Sequence, residues 1–228
     1  MVEDPYRSEG RAVSPLPVEM EDNWSLVPGA DPGRARLMWL MCVGNNPQVA
    51  HLARLGQVRL AGLACLDLVP REWLHITTLI AGFADEISSS QTEAMASQAR
   101  RLLAGTSPIT VTMGRALYHP RAVMLAAQPP SALEPVVHAV QEATRNAAGC
   151  EGELHYEPWT PHVTLAYSNT ACPAGPVIEA LGRGVPPQQV AISSVSLVSQ
   201  APEQRWTWRL VADVPFGTGS PVRGHARS

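Results

Sequence analysis

The sequence contains no lysine, so its positive charge rests on arginine alone. The chain has 17 basic and 20 acidic residues, a net charge of −3 and a pI near 6.2. Proteins that bind along a nucleic acid duplex usually carry a basic surface that neutralises many phosphates. The composition therefore argues against a long duplex as partner and favours a small nucleotide or an RNA end.

Cysteine is also sparse, and its spacing excludes the common zinc-binding patterns. The four cysteines, Cys42, Cys65, Cys150 and Cys172, form no Cys-x-x-Cys pair, and no cysteine or histidine pair has the spacing of zinc ligands. We therefore expect free thiols in a reducing cytosol, and neither a metal nor a cofactor.

The sequence also has no long apolar run, and we expect no targeting segment. The run LMWLMCV at residues 37–43 is far too short to cross a bilayer. The first residues are acidic and proline-rich, unlike a secretory signal peptide. The sequence thus predicts a cytoplasmic protein that does not associate with membranes.

Length and apolar content suffice for one sizeable domain. The chain has 228 residues, of which 45% are hydrophobic, enough for a single two-lobed core. Residues 1–35 are rich in Pro, Gly, Asp and Glu, which predicts a flexible extension that Trp24 and Leu26 pin in part to the body. We expect the folded domain over residues 36–216, a disordered tail over 217–228, and a monomer.

Apolar periodicity predicts strands and helices that alternate in both halves of the chain. The predicted strands are residues 37–43, 66–69, 74–80, 109–117, 122–127, 159–167, 190–199 and 205–214. The predicted helices are residues 47–60, 91–103, 133–147 and 177–181. Ser131 is the expected N-cap and Gly149 the expected stop of the third helix, and Gly82 is expected to end the strand over 74–80.

One short pattern, His-x-Thr, occurs twice. His75 and Thr77 lie in WLHITTLI, and His162 and Thr164 lie in PHVTLAYS, 87 residues further on. Side chains alternate between the two faces of a strand, so each histidine shares a face with its threonine. Two such strands meeting across a cleft would surround one small anion with two imidazoles and two hydroxyls.

The same alternation predicts what lies on the opposite faces of these strands. Ile76, Thr78 and Ile80 are expected to point away from His75, as are Val163 and Leu165 from His162. Those faces can enter a core.

This constellation suits phosphodiester chemistry. Attack on a phosphodiester needs one proton removed from the nucleophile and one delivered to the leaving oxygen, and two imidazoles can do both near neutral pH. Threonine hydroxyls can donate to the non-bridging oxygens. A single His-x-Thr would more often be structural, but two copies in matching strand contexts favour a functional interpretation.

With these motifs, residues 36–216 resemble the 2H phosphoesterase superfamily, which includes bacterial 2′-5′ RNA ligases and 2′,3′-cyclic phosphodiesterases. RLMWLMCVG resembles the first strand of that family, ITVTMGRALYHPRAVMLAAQPP its central strand pair, and PWTPHVTLAYS its second motif strand. The resemblance implies an α+β fold of two pseudo-symmetric lobes, with antiparallel sheets flanked by helices and the active site in the cleft between them. It also implies that His75 and His162 are catalytic and that Thr77 and Thr164 bind the phosphate.

One departure concerns the second motif. RNA-ligase-like bacterial members tend to carry an arginine shortly after the second threonine, whereas this chain has Tyr167 there. A tyrosine is more similar to the cyclic-phosphodiesterase branches, so the resemblance favours hydrolysis. Simple alternation points Tyr167 away from His162, and it contributes a phosphate-directed hydroxyl only if the strand twists or ends there.

Further substrate contacts are expected from aromatic and arginine side chains. Tyr118 resembles the cleft aromatic of the family and is the best candidate to stack on a base. Arg115 and Arg121 flank it and can pair with a terminal phosphate, with solvated loop arginines as the alternative. Trp159, just before the second motif, is a further candidate, with core packing as its alternative.

The sequence thus predicts a metal-independent phosphodiesterase acting on a 2′,3′-cyclic phosphate or a 2′-5′ linkage of a nucleotide or RNA end. Ligation, the same chemistry reversed, is an alternative that needs a second RNA end held in place. A non-catalytic nucleotide- or RNA-end-binding module on the same fold is another. A structural α+β protein with coincidental motifs is a third and predicts no phosphate affinity.

Overall fold

The computed structural model describes residues 16–25, 33–154, 158–201 and 207–217. Its strands are β1 (Glu19–Met20), β2 (Arg36–Cys42), β3 (Leu66–Leu68), β4 (His75–Phe83), β5 (Ile109–His119), β6 (Ala122–Gln128), β7 (His162–Ser168), β8 (Cys172–Pro173), β9 (Gly184–Ile192), β10 (Ser194–Gln200) and β11 (Arg209–Pro215). Its helices are α1 (Pro47–Leu60), α2 (Ser89–Leu103), α3 (Glu134–Ala148) and α4 (Ala174–Leu181), with short 3-10 turns at Arg71–Trp73 and Pro130–Ala132.

Two antiparallel sheets form the body of the molecule. One has four strands in the order β11-β10-β2-β4, and the other has five in the order β3-β7-β6-β5-β9. Helices α2 and α3 pack against the first sheet, α1 packs against the second, and α4 packs against α1 and β1. The predicted α+β class with antiparallel sheets flanked by helices is confirmed, and each sheet holds one of the two motif strands.

Local sequence explains where most helices begin and end. The Asn46 side chain accepts from the backbone N–H groups of Gln48 and Val49, and Pro47 occupies the first turn of α1. Gly149 ends α3 in the left-handed conformation with φ of 76°, as predicted. Ser131 was the wrong cap for α3, because it lies in the preceding 3-10 turn and the N-cap is Leu133.

The predicted strands differ from the observed ones at their ends, and two of these differences change how the chain runs through the sheets. The predicted strand 190–199 is two strands, because the chain leaves the five-stranded sheet after Ile192 and enters the four-stranded sheet at Ser194. Gly82 does not end the first motif strand, which continues through it to Phe83. The apolar pattern runs on across the break between the two sheets because Ile192 and Val195, on its two sides, are both buried.

One hydrophobic core extends through both lobes. Trp39 on β2 is fully buried, and its indole Nε1 donates to Thr144 Oγ1 of α3 at 3.0 Å. Thr144 Oγ1 in turn donates to the Val140 carbonyl at 2.7 Å. The indole is thus both packed and satisfied, which fixes α3 over the four-stranded sheet. All four cysteines are free thiols, as predicted.

The segment before β2 is partly packed onto the body. Met20 is completely buried and pairs with Cys172 between β1 and β8. Trp24 Nε1 donates to Asp67 Oδ2 at 3.0 Å, and its ring meets the Tyr167 ring edge-on at 5.3 Å. The predicted pinning by Trp24 is confirmed, whereas Leu26 lies outside the described residues.

Candidate active site

The two motif strands contact each other, and a cavity of about 240 Å³ opens beside them. Its polar wall is formed by His75, Thr77, Thr164, Tyr167, Arg36 and Gln200. Its apolar wall is formed by Met38, Val69, Trp73, Ile80 and Trp208. Three of the four motif side chains therefore line one cavity. The fourth, His162, is not part of this lining but shares the face of Thr164 on β7 and is 9% exposed.

Both histidine rings are oriented by the same backbone contact. Nδ1 of His75 lies 2.8 Å from the Trp73 carbonyl oxygen, and Nδ1 of His162 lies 2.7 Å from that of Thr160. A carbonyl oxygen only accepts, so Nδ1 carries the proton in each ring. Nε2 is then the basic nitrogen of the neutral imidazole and the acidic N–H of the imidazolium. The two rings thus have the same tautomer and the same backbone contact.

A β-bulge follows the threonine of the first motif. On β2, Trp39 and Leu40 are consecutive, but their partners on β4 are Leu79 and Thr77, so Thr78 is an extra residue. An extra residue reverses the alternation beyond it. Ile80 therefore lines the cavity with Thr77, and its predicted position on the face of Ile76 is wrong.

The second motif carries a bulge at the matching position. Val123 and Met124 of β6 pair with Ala166 and Thr164, which leaves Leu165 as the extra residue of β7. Tyr167 consequently turns to the face of Thr164 and lines the cavity. The expectation from simple alternation is wrong, and the deformation of the strand that would bring Tyr167 into the site is present.

Tyr167 has two side-chain contacts in this position. Its side chain is hydrogen-bonded to that of Thr164, and the ring of Trp24 meets its ring edge-on. Burial raises the pKa of the Tyr167 hydroxyl above its usual value, although the bond with Thr164 lowers it in part. The phenol thus stays protonated near neutral pH and remains a hydrogen-bond donor.

Two tryptophans form the aromatic wall. Trp73 and Trp208 meet edge-on with ring centroids 4.6 Å apart, and Trp208 also meets the ring of His75 at 5.0 Å. Trp73 ends the 3-10 turn before β4 and lines the cavity with His75. The sequence did not predict Trp208 as a cavity residue. Its only signal is the alternating Trp-Thr-Trp of residues 206–208, and nothing local shows which strand the ring would face.

Three residues predicted to bind substrate are not in the cavity lining. Tyr118 donates its hydroxyl to the Gly182 carbonyl at 2.6 Å, at the end of α4. Arg121 pairs with Glu21, with Nε and Oε2 3.1 Å apart. Arg115 pairs with Gly184 in the β5–β9 ladder. Tertiary contacts thus occupy Tyr118 and Arg121, and we do not include these three residues in the site.

Trp159, the remaining candidate, is structural in its contacts. It is 8% exposed, belongs to the core and donates from Nε1 to the Thr77 carbonyl oxygen at 3.1 Å. It thereby joins the segment before β7 to the bulge of β4. These contacts fit core packing, which the sequence left open as the alternative to substrate binding by Trp159.

Replacing Tyr118 by Phe is expected to reveal the role of its hydroxyl in the fold. Burial raises the pKa of Tyr118 from 10.0 to about 12. The folded state therefore favours the protonated phenol, and this stabilisation is present below pH 10 and lost as the pH rises to about 12. Near neutral pH the variant should lose about 1 kcal/mol of unfolding free energy.

Urea unfolding of both proteins near neutral pH and at a series of values above 10 measures the difference. The gap between wild type and Tyr118→Phe should narrow in the alkaline range. A gap that stays constant across this range would show that the hydroxyl does not titrate as the structure indicates.

Two absences hold within the four described ranges. No three His, Cys, Asp or Glu side chains come together as metal ligands would. No described helix has the length and apolar character needed to cross a membrane.

Comparison with known proteins gives one family and one fold. The family model of the 2′-5′ RNA ligase superfamily matches residues 47–203. No match was found among curated proteins. Among solved structures, the chain resembles TT0787 of Thermus thermophilus, with 16% identity and a TM-score of 0.59, over 81% of this chain and 100% of that one.

Structures of Escherichia coli LigT show the same fold. The complex with 3′-AMP has 18% identity and a TM-score of 0.58, over 80% of this chain and 98% of that one. The complex with NADP+ has 17% identity and a TM-score of 0.55, over 81% and 99%. At these identities the likeness concerns the fold. Because the family model covers more than half of the chain, the protein belongs to the 2′-5′ RNA ligase superfamily of 2H phosphoesterases.

Proposed function

We propose that this protein is a metal-independent phosphodiesterase that hydrolyses 2′,3′-cyclic phosphates or 2′-5′ linkages of nucleotides and RNA ends. Membership of the superfamily supports phosphodiesterase or ligase chemistry in general. The observation that carries the finer proposal is the matched geometry of β4 and β7. Each strand has a histidine with Nδ1 fixed by a carbonyl two residues earlier, a threonine on the same face and a bulge directly after it.

In the proposed reaction the two histidines exchange protons with substrate through Nε2. One histidine takes a proton from water as the water oxygen attacks phosphorus. The bond from phosphorus to O2′ or O3′ breaks, and the other histidine gives its proton to that ribose oxygen. The product is a 3′- or 2′-phosphate, and which oxygen leaves decides which histidine is the acid.

Hydroxyl groups supply the remaining stabilisation. Thr77, Thr164 and Tyr167 line the cavity. Thr164 and Tyr167 are hydrogen-bonded to each other, so one proton of this pair, together with the proton of Thr77, can be donated to the non-bridging oxygens, where negative charge grows in the transition state. These hydroxyls are neutral, so they stabilise the charge without adding a cation next to the histidines. The bulge of β7 brings Tyr167 to the same wall as the two threonines, which supports a site built for an anion.

Hydrolysis is favoured over ligation because ligation requires a second RNA end beside the first. The net charge of −3 and the single arginine among the cavity-lining residues described above offer little to hold two polyanions together. Relatives crystallised with 3′-AMP, NADP+ and ATP support a nucleotide as ligand. Cytoplasmic location and a monomeric state stay predictions.

The test is hydrolysis of the four nucleoside 2′,3′-cyclic monophosphates with EDTA present, with the products separated by chromatography. Turnover that EDTA does not reduce is the expected result. If neither these substrates nor 2′-5′ oligonucleotides nor RNA ends react, while phosphate-bearing nucleotides still bind, the non-catalytic binding module becomes the better interpretation.

Replacing Tyr167 by Phe is expected to lower kcat by about 10–100-fold, the loss of one hydrogen bond to a charged group. The pKa of this hydroxyl is raised by burial, so it stays protonated across the working range. The variant should therefore lower the height of the pH–rate profile without moving its limbs. Tyr118→Phe makes the same chemical change outside the cavity lining and should lower kcat much less. Equal effects of the two variants would remove Tyr167 from the proposed site.

A further inference from the structure

Arg36 is a cation at the cavity, and no carboxylate of the described residues pairs with it. It begins β2, is exposed and is the one charged residue among the cavity-lining residues described above. Arg34, two residues earlier, is bound by Asp85 with Nη2 and Oδ1 2.6 Å apart and by Glu86 at 2.7 Å. In the described part of the chain, no hydrogen bond or ion pair holds the guanidinium of Arg36. Its guanidinium lies over the Phe83 ring, with Cζ 5.7 Å from the ring centroid.

The strand ladder places Arg36 at a distance from the reacting phosphate. On β2, Leu40 pairs with Thr77, whereas Arg36 pairs with Phe83 on one side and Gln200 on the other. Four residues of strand correspond to about 13 Å between the two rungs. The arginine side chain closes only part of that separation. Its guanidinium can thus meet a group one nucleoside unit away from the phosphate held by Thr77.

We propose that Arg36, with Gln200 beside it, forms a subsite for a second phosphate, the one on the 5′ oxygen of the nucleoside whose cyclic phosphate reacts. This inference rests on the proposed function and narrows its substrate class. A guanidinium binds phosphate through two parallel N–H groups, and Gln200 pairs with Arg36 on the neighbouring strand and lines the same cavity. The chain contains no lysine, and Arg36 is the one arginine among the cavity-lining residues described above. It is therefore the side chain that can pair with such a phosphate.

Three substrates separate the contributions of the two phosphates. Adenosine 2′,3′-cyclic phosphate has none at the 5′ position, its 5′-phosphorylated form has a terminal one, and the dinucleotide ApA with a 2′,3′-cyclic end has an internal one. Wild type should show a kcat/KM about tenfold higher for the second and third than for the first, the effect of one charge-assisted hydrogen-bonded contact. A preference for the dinucleotide alone would identify an oligonucleotide as the source of the phosphate.

Arg36→Gln should reduce the ratio of kcat/KM with and without the 5′ phosphate from about tenfold to about one. Arg36→Lys should keep part of this ratio, because lysine retains the positive charge but lacks the two parallel N–H groups of the guanidinium. Added salt should reduce the ratio in wild type and leave the ratio of Arg36→Gln unchanged. Arg54→Gln, an exposed arginine on α1, is the matched control and should keep the wild-type ratio. A wild-type ratio of one, or an equal loss by Arg36→Gln on all three substrates, would overturn the subsite.

Binding measurements keep this inference separate from the proposed reaction. Calorimetry compares adenosine 3′-phosphate with adenosine 3′,5′-bisphosphate, which differ only in the 5′-phosphate. Wild type should bind the bisphosphate about tenfold more tightly, and Arg36→Gln should lose that advantage. If turnover fails but the difference in binding is present, the proposed hydrolysis is wrong and the subsite stands. If turnover succeeds and the difference is missing, only the subsite is wrong.

Discussion

Replacing either His75 or His162 by Ala is expected to lower kcat for 2′,3′-cyclic nucleotides by about 10²–10⁴. Both rings are held through Nδ1 by a backbone carbonyl, so each variant removes one Nε2 proton carrier and leaves the other in place. His138→Ala is the matched control, because that histidine is exposed on α3, and it should keep wild-type activity.

The two losses should not add, since acid and base act in the same step. The double variant is expected to be about as slow as the slower single variant. Initial rates with EDTA present measure this, and thermal melting of each variant shows whether it is folded. A folded His162→Ala protein with wild-type kcat would contradict the two-histidine mechanism, and would fit the finding that His162 is not part of the cavity lining.

A substrate whose leaving group needs no proton can show which histidine is the general acid and which is the general base. A nitrophenyl phosphodiester releases an anion that needs no proton, so the variant lacking the general acid should recover much of its rate on that substrate. The variant lacking the base should not recover. Wild type should give a bell-shaped dependence of kcat/KM on pH, and each single variant should lose one limb. Recovery of both variants, or of neither, would show that the histidines do not divide the roles in this way.

Strand alternation was sufficient to predict part of this site. It placed His75 with Thr77, and His162 with Thr164, on common faces, and the structure has both pairs in regular pairing up to the threonine. Beyond that point the bulges reverse the pattern. A bulge depends on the register with the neighbouring strand, so nothing in TTLI or LAYS indicates that Thr78 and Leu165 are extra residues.

The remaining differences have the same physical origin in tertiary contacts. The sequence indicates that Tyr118 is available to stack on a base. In the fold its hydroxyl donates to the Gly182 carbonyl at the end of α4. Trp208 directly precedes β11 and Arg36 begins β2. Both are distant in sequence from the motifs, so only the sheet order shows that they reach the same cavity. The helices were easier to predict, because caps such as Asn46 and Gly149 act on their own neighbours.

Replacing Trp159 by Ala is expected to cost about 3–5 kcal/mol of unfolding free energy, the range for a large buried aromatic side chain. Trp159 is 8% exposed, and its Nε1 donates to the carbonyl of Thr77 at the bulge of β4. Trp159→Phe keeps most of the buried surface and removes this donor. It should therefore cost only about 1 kcal/mol but disturb the strand that positions Thr77.

The matched control for this variant is Trp39→Phe. That indole is also buried and also donates one hydrogen bond, to Thr144 at 3.0 Å, but in the core beneath α3. Both variants should lose a similar amount of unfolding free energy in urea. Only Trp159→Phe should lower kcat, by about tenfold, because Thr77 would no longer be held in the best position to donate to the phosphate. If both variants have the same kcat, the hydrogen bond from Trp159 to the Thr77 carbonyl can be lost without effect on the reaction. Trp159 would then hold the lobes together without positioning Thr77.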